Sequence, residues 1–383
     1  MMEEVYLDNC STTKIDDDIL KVYSEYQKEV FANPSSVHSL GVKAEKIMAK
    51  GKGILLDTLN VEREYDIIFG SGGTECNNLA ILGTLNFYQK RGKKIVTTPI
   101  EHASVLERFK ELKKQGYVVE YVNVDNKGLV DLDDLRQKVD QKTVLISIMA
   151  VNNEIGTVQP LRKIGSMVKE VNPKCVFHVD GVQGYGKIDI NLNECNIDLF
   201  SISSHKFHGP KGVGALFVKE KVGLTPLLYG GGQQKGLRPG TENVPGCYAM
   251  AIAADKMYKN QKDYVDKIIQ LKEKLKVGIK ERVAKSIIVT PDNSAPHILN
   301  VAFENFKGEV LVRALEEVNI YVSTGSACSS KAKDSHVLKA INLPKQYRQG
   351  AIRFSLSYNT TDKEIEYTIE KTAQIVEDLQ LFM

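Results

Sequence analysis

Four stretches of the 383-residue sequence carry residue types and spacings that can do chemistry. In Ile67-Ile68-Phe69-Gly70-Ser71-Gly72-Gly73-Thr74-Glu75 an apolar run passes through a glycine-rich turn into a helical pattern. Backbone N–H groups at such a helix start, with the helix dipole behind them and a threonine hydroxyl beside them, cradle an anion. The stretch fits neither G-x-x-x-x-G-K-[ST] nor G-x-G-x-x-G, which argues against a nucleotide, and a plain strand-to-helix turn is the competing reading. In His178-Val179-Asp180-Gly181-Val182-Gln183 an aspartate leaves the carboxyl end of an apolar run. That edge of an open α/β sheet binds ligands, and a semi-buried carboxylate there needs a cation, unless it only caps the next helix. The stretch Ser201 to Gly214 presents Lys206 on a loop that turns away through Gly209-Pro210. A desolvated lysine near other cations can shed its proton and capture a carbonyl, although most loop lysines are solvated charges. Finally, Ser323 to Lys333 surrounds Cys328 with small residues. Such residues cannot build a core, so a mobile, exposed loop is expected, with Lys331 and Lys333 favouring the thiolate.

Anion cradle, carboxylate and shielded lysine on successive strand ends are the parts that hold pyridoxal phosphate: phosphate grip, pyridinium partner and Schiff-base lysine. They need a scaffold that aligns strand ends. β-Branched runs at 66–69, 94–97, 118–122, 144–149, 176–179, 199–203 and 214–218 alternate with amphipathic stretches at 74–90, 104–114 and 161–171. That alternation predicts an α/β fold on a mostly parallel sheet. After Pro245 a Lys-rich helical run from Tyr248 to Lys285 leads to strand-like 300–303, a helix near 310–318, strand-like 352–356 and a closing helix over 362–379. The expected organisation is a large domain over 15–244 and a smaller α+β domain from 1–14 and 245–383, which carries the Cys328 loop.

The segments "GGTECNN", "VNNEIGTVQP", "HVDGVQ" and "SSHKFHGPKGVGALFV" together resemble the class V, fold type I aminotransferase family, and most closely its cysteine desulfurase branch. The likeness runs from Tyr6-Leu7-Asp8-Asn9 to Ile352-Arg353-Phe354-Ser355. It implies a pyridoxal-phosphate enzyme with a seven-stranded, mainly parallel sheet. Lys206 would bear the cofactor and move protons at the substrate carbons. Asp180 would pair with the pyridinium nitrogen, Gln183 and Asn153 would address the ring hydroxyl, and His102 would stack on the ring. Gly73, Thr74, Ser203 and His205 would hold the phosphate, joined by Thr241 from a second subunit, which implies a homodimer. Arg353, with help from Asn33, would bind the α-carboxylate of L-cysteine, and Cys328 would take its sulfur as a persulfide, leaving L-alanine. Without the resemblance, His102 is a satisfied strand-end histidine, Arg353 a strand-edge ion pair and Asn33 a turn residue. Another class V enzyme, such as a selenocysteine lyase or an aminotransferase, and an inactive sulfur carrier are the remaining alternatives.

The acceptor of the sulfur would be an iron–sulfur scaffold or a tRNA-thiolation enzyme. The sequence runs only a few residues past its last helical pattern, shorter than the tail with which housekeeping members dock a scaffold, so the second acceptor gains weight. Gly181, where the family commonly has Ala, and Cys10, where Tyr or an apolar residue is usual, are departures expected to be tolerated. Net charge is +3, which offers no basic field for nucleic acid, and the longest near-apolar run, Val144 to Val151, is too short for a membrane span. Six cysteines without C-x-x-C spacing and an N-terminus lacking a cationic, then apolar leader predict a cytoplasmic protein without a metal centre.

Overall fold

A computed structural model describes residues 4–61, 64–325 and 335–381. Cys328, Lys331 and Lys333 lie outside the described residues. After β1 (Val5–Tyr6), the expected runs become β2 (Tyr65–Gly70), β3 (Lys94–Thr97), β4 (Val118–Tyr121), β5 (Thr143–Met149), β6 (Val176–Asp180), β7 (Leu199–Ser203) and β8 (Gly214–Lys219). β2 to β8 form a seven-stranded sheet in the order β2-β8-β7-β6-β5-β3-β4. The pairs β7–β6, β6–β5, β5–β3 and β3–β4 are parallel, whereas β8 runs antiparallel to both β7 and β2. The link 204–213 is too short for a crossover helix, so β8 must return antiparallel. β5, β6 and β7 are buried along their whole length, as expected of strands covered by helices on both faces.

Two helical expectations change. The helix expected over 74–90 is Gly73–Asn78, widening into a π-turn over Leu79–Gly83 and ending with Thr84–Phe87. There Thr84 Oγ1 donates to the Ala80 carbonyl at 2.6 Å, competing with the backbone ladder. The long run from Tyr248 to Lys285 is two helices, Val244–Lys259 and Gln261–Arg282. Asn260 breaks it, because its Nδ2 donates to the Lys256 carbonyl at 2.8 Å while its backbone leaves the helical region. The first of the pair packs on the helices Asp17–Glu29 and Ser39–Asp57 beside the large sheet; the second packs on Asp362–Gln380.

The remaining strands are β9 (Ser286–Ile288), β10 (Ile298–Phe303), β11 (Ile320–Tyr321) and β12 (Ala351–Ser355). They give an antiparallel sheet in the order β12-β10-β9 and a parallel pair of β1 with β11. Val5 and Leu7 share an apolar core with Leu271, Leu275, Val301 and Phe354, so the N-terminal strand belongs with the C-terminal part of the chain. Beyond it the chain crosses over: the Ser355 N–H donates to the Leu7 carbonyl at 2.7 Å, and the Thr13 N–H donates to the His205 carbonyl at 2.9 Å. No helix among the described residues is long and apolar enough to cross a membrane.

Candidate active site

The parallel strands end at one edge of the large sheet, and the turns leaving β2, β6 and β7 open there onto a cavity of about 770 Å³. Gly73, Thr74, His102, Asn153, Asp180, Gln183, Ser203, His205, Lys206 and Arg353 all line it. The cradle depends on missing side chains. Gly72 has φ +151°, open in practice only to glycine, and a Cβ on Gly73 would stand 2.8 Å from Val182 Cγ2.

Lys206 sits in a single 3₁₀ turn, Ser204–Lys206, directly after β7. Its Nζ donates to the carbonyls of Cys10 and, at 2.8 Å, Ser11. Those acceptors come from the segment that crosses between the two parts of the molecule. Asp180, at the end of β6, is 5% exposed. Its Oδ1 accepts from the Val182 N–H at 3.0 Å and its Oδ2 from Asn77 Nδ2 at 2.8 Å. The other Asn77 amide hydrogen reaches Ser104 Oγ at 2.9 Å, and Ser104 Oγ lies 2.9 Å from His102 Nδ1. A polar chain thus joins the carboxylate to the histidine.

His102 caps the helix Ala103–Lys114, where its Nδ1 accepts from the Ser104 N–H at 3.2 Å. Burial, with the Lys206 charge adding to it, lowers its proton affinity against the opposing pull of Asp180. A neutral imidazole results, suited to lie against an aromatic ring. Burial likewise pushes His205 down to about 4, reinforced by Lys206, Lys211 and Lys187.

Arg353, on β12, is 3% exposed and brings the C-terminal part of the molecule into the cavity. Its Nη2 donates to Asp8 Oδ1 at 2.7 Å and Ser11 Oγ at 2.9 Å, and its Nη1 to the Asn153 carbonyl at 2.9 Å. Among the described residues Nε is buried without a partner, which leaves a donor for a ligand. Gln183 bridges the two parts in the same way: its Nε2 donates to the Cys10 carbonyl at 3.0 Å and its Oε1 lies 3.2 Å from His297 Nε2.

Asn33 and Thr241 are exposed and do not line the cavity of their own chain. Asn33 makes a turn, its Oδ1 accepting from the Ser35 N–H at 2.9 Å. Sequence reasoning missed Asn77 and Asp8. Asn77 lies one helical turn after Thr74, which was the available signal. Asp8 carried no local signal, because its partner is 345 residues away.

Four of the described cysteines, at 76, 175, 195 and 247, are buried thiols whose proton affinity burial raises, to about 12 for Cys175 and Cys247. Such thiols are poor nucleophiles. The cavity also contains apolar Pro99, Leu106, Met149 and Val182, so it offers a planar ring two kinds of surface: apolar walls and polar ends.

The family model for class-V aminotransferases matches residues 5–368. The chain is similar to the cysteine desulfurase IscS of Dictyoglomus turgidum, with 38% identity over 382 residues, covering 99% of this chain and 96% of that one. It is 36% identical to the cysteine desulfurase IscS 1 of Archaeoglobus fulgidus, covering 98% and 97% of the two chains. Among solved structures, a NifS-like protein superposes with a TM-score of 0.92 at 38% identity, covering 98% of this chain and 99% of that one. The NifS-like protein of Rickettsia africae superposes at 0.88 and 30% identity, covering 98% and 100%. With this match running through both sheets and through every strand end that lines the cavity, the chain belongs to the class-V aminotransferase family.

Proposed function

We propose that the protein is a pyridoxal-phosphate-dependent cysteine desulfurase: L-cysteine and the Cys328 thiol are converted to L-alanine and a Cys328 persulfide. The observation that carries this reading is the convergence of Lys206, Asp180, Gly73 and Thr74 of the cradle, and Arg353 on one cavity. The cofactor fits what is there. The cradle has no room for a side chain at Gly73, Asp180 offers a buried carboxylate, and Asn77 Oδ1 and Arg353 Nε are buried polar atoms lacking partners among the described residues.

Gly73, Thr74, Ser203 and His205 would hold the phosphate, Asp180 the ring nitrogen, Gln183 and Asn153 the ring hydroxyl, with His102 against the ring face and Lys206 as the covalent anchor. When bound, the cofactor supplies an electron sink that makes the substrate's Cα proton acidic and weakens the bond to sulfur. The chain's own groups do the rest. Arg353 orients the α-carboxylate, with Asp8 and the Asn153 carbonyl fixing the guanidinium plane. Lys206 Nζ, once freed, moves a proton at Cα. Cys328 takes the sulfur through its thiolate, so one thiol hydrogen and one sulfur change owner and the alanine carbon gains a proton.

Asn33 and Thr241 would complete the site of a second copy, which makes the working unit a homodimer. Exposed apolar side chains, Phe31 at 73% and Val37 at 98% on either side of Asn33 in the chain, support that assembly. The division expected at 244/245 falls at the start of the helix Val244–Lys259, and because that helix buries its apolar face in the core beside the large sheet we place the division near Asn260 instead. The persulfide would pass to an iron–sulfur scaffold or a tRNA-thiolation enzyme in the cytoplasm, and the free thiols at the five described cysteines accord with a reducing compartment.

The test is direct. Cys328→Ala should keep the visible absorbance of the bound cofactor while losing persulfide formation and cysteine-dependent sulfide release; Lys206→Ala should lose the absorbance. Sulfide release surviving in Cys328→Ala would overturn the nucleophile assignment.

A further inference from the structure

Lys206 also lines a second, water-sized cavity of about 10 Å³, and across it sits another lysine. Lys187 is delivered there by the turn that follows Gln183. Gly186, at φ +71° and with Met257 Cγ 2.6 Å from where a Cβ would stand, lets the chain fold tightly back into the interior. Lys187 is 8% exposed, and its Nζ donates to the backbone carbonyl of Lys206 at 2.9 Å.

A buried ammonium ordinarily has a carboxylate partner, since burial of an unpaired charge is costly. Among the described residues the charges felt by Lys187 are those of the Cys10 thiol and of Lys206 itself, and no carboxylate is among them. Asp16, which reaches into the same region, is engaged by Lys256 at 2.7 Å and by the Tyr358 hydroxyl at 2.5 Å. Three histidines feel the Lys187 charge: His205, His208 and His297. Burial, the largest influence on each, drives the first two down to about 4 and His297 well below its ordinary value, so at neutral pH they add no charge. Burial, helped by the Lys206 charge, lowers Lys187 itself to about 8. It therefore remains largely protonated at neutral pH and loses its charge above about pH 8.

Lys206 must give up a proton to work as an amine, yet the two carbonyls on its Nζ favour the charged form. Below about pH 8, where Lys187 keeps its charge, a nearby cation opposes them. We propose that Lys187 is a positioning residue for Lys206: it pins the Lys206 backbone through the carbonyl, and its positive charge drives the proton off the Lys206 amine. This rests on the reading of Lys206 as the covalent anchor of the cofactor.

The experiment measures how readily Lys206 holds its proton. In the full-length protein stripped of cofactor, the pH dependence of acetic anhydride labelling of Lys206 is followed by peptide mass spectrometry. In the loaded enzyme, the visible spectrum is titrated with pH. Lys187→Met removes both the charge and the donor; Lys187→Gln keeps a donor for the carbonyl and removes only the charge; Lys187→Arg keeps the charge. The Met and Gln variants should move both midpoints up by about one pH unit, and Arg should not. Should Met fail to fold, Gln alone decides. Wild-type midpoints in Lys187→Gln would overturn the inference. Visible absorbance persisting in Lys206→Ala would instead sink the anchor assignment, which separates the two failures.

Discussion

Asp180 serves the site only while its two oxygens are held by Asn77 Nδ2 and the Val182 N–H. Asn77→Ala leaves Oδ2 of a buried carboxylate without a donor and breaks the link to Ser104. Turnover with L-cysteine should fall about tenfold, the ~1.4 kcal/mol expected at the low end for a buried charged group that loses a partner. Steady-state kcat checks this, and an unchanged kcat would show that the link to His102 is idle. Glu101 is a different kind of buried acid. Its Oε1 accepts from Thr98 Oγ1 at 2.7 Å and the Met149 N–H at 3.1 Å, its Oε2 has no partner among the described residues, and burial raises it to about 8. The folded protein thus keeps a proton that the unfolded chain releases at ordinary carboxylate pH. Glu101 therefore subtracts stability progressively as pH rises from the ordinary carboxylate range to about 8, with the full loss present above that. Glu101→Gln should flatten this decline, read as the difference between wild-type and variant thermal midpoints at pH 5 and pH 8. Parallel profiles would refute it. Asp180 and Asn77 both stood in stretches the sequence made prominent. Their pairing was not legible there, because a strand-end carboxylate and a helix amide meet only after the sheet has aligned them.

Adjacent strands β6 and β7 explain a departure that the sequence left as merely tolerable. A Cβ on Gly181 would come within 2.0 Å of Phe200 Cζ, and Phe200 is completely buried. Glycine at 181 is thus matched to phenylalanine at 200, one strand over, and the ring fills the space that an alanine would need. Gly181→Ala should lower stability by about 1–3 kcal/mol, as overpacking does, and Gly181→Ala with Phe200→Leu should recover part of it. Denaturant melts of wild type, Gly181→Ala, Phe200→Leu and the double variant decide, and additive losses would mean that the two positions are not coupled. The strands of the large sheet were legible to within a residue or two, because β-branched runs between glycine-rich turns leave little choice, whereas the short β1, β9 and β11 left no such pattern. The helices were less so. A polar side chain can cap, bend or break a helix depending on which carbonyl it finds, and the sequence does not say that Asn260 will find that of Lys256.

The whole molecule brings together groups that neither part contains alone. Lys206, on the large sheet, has its amine held by carbonyls of residues 10 and 11, and Arg353, on the small sheet, reaches Asp8 and the Asn153 carbonyl. Asp8→Asn would take the carboxylate from a guanidinium that is 3% exposed. A loss of about 3 kcal/mol is expected, the lower end for a broken buried pair, together with a raised KM for L-cysteine as the fork loosens. Equilibrium unfolding and initial rates test the two halves of that statement, and a variant as stable as wild type would refute the first. Completion of each site by a second copy has its own test. Lys206→Ala and Thr241→Ala chains, each impaired alone, should recover activity when unfolded and refolded together, because mixed dimers contain one site with both residues. No recovery would count against the shared site. The alternation of strands and helices, the cradle, the lysine and the carboxylate were all written in local pattern, since each depends on neighbours a few residues away. Tertiary structure alone decided that Cys10 and Ser11 face Lys206, that Asp8 holds Arg353, that Gly181 yields its space to Phe200 and that Lys187 lies under Lys206. Those pairings join residues in separate elements, and no spacing in one dimension records a contact made across neighbouring strands or where the two parts of the molecule meet.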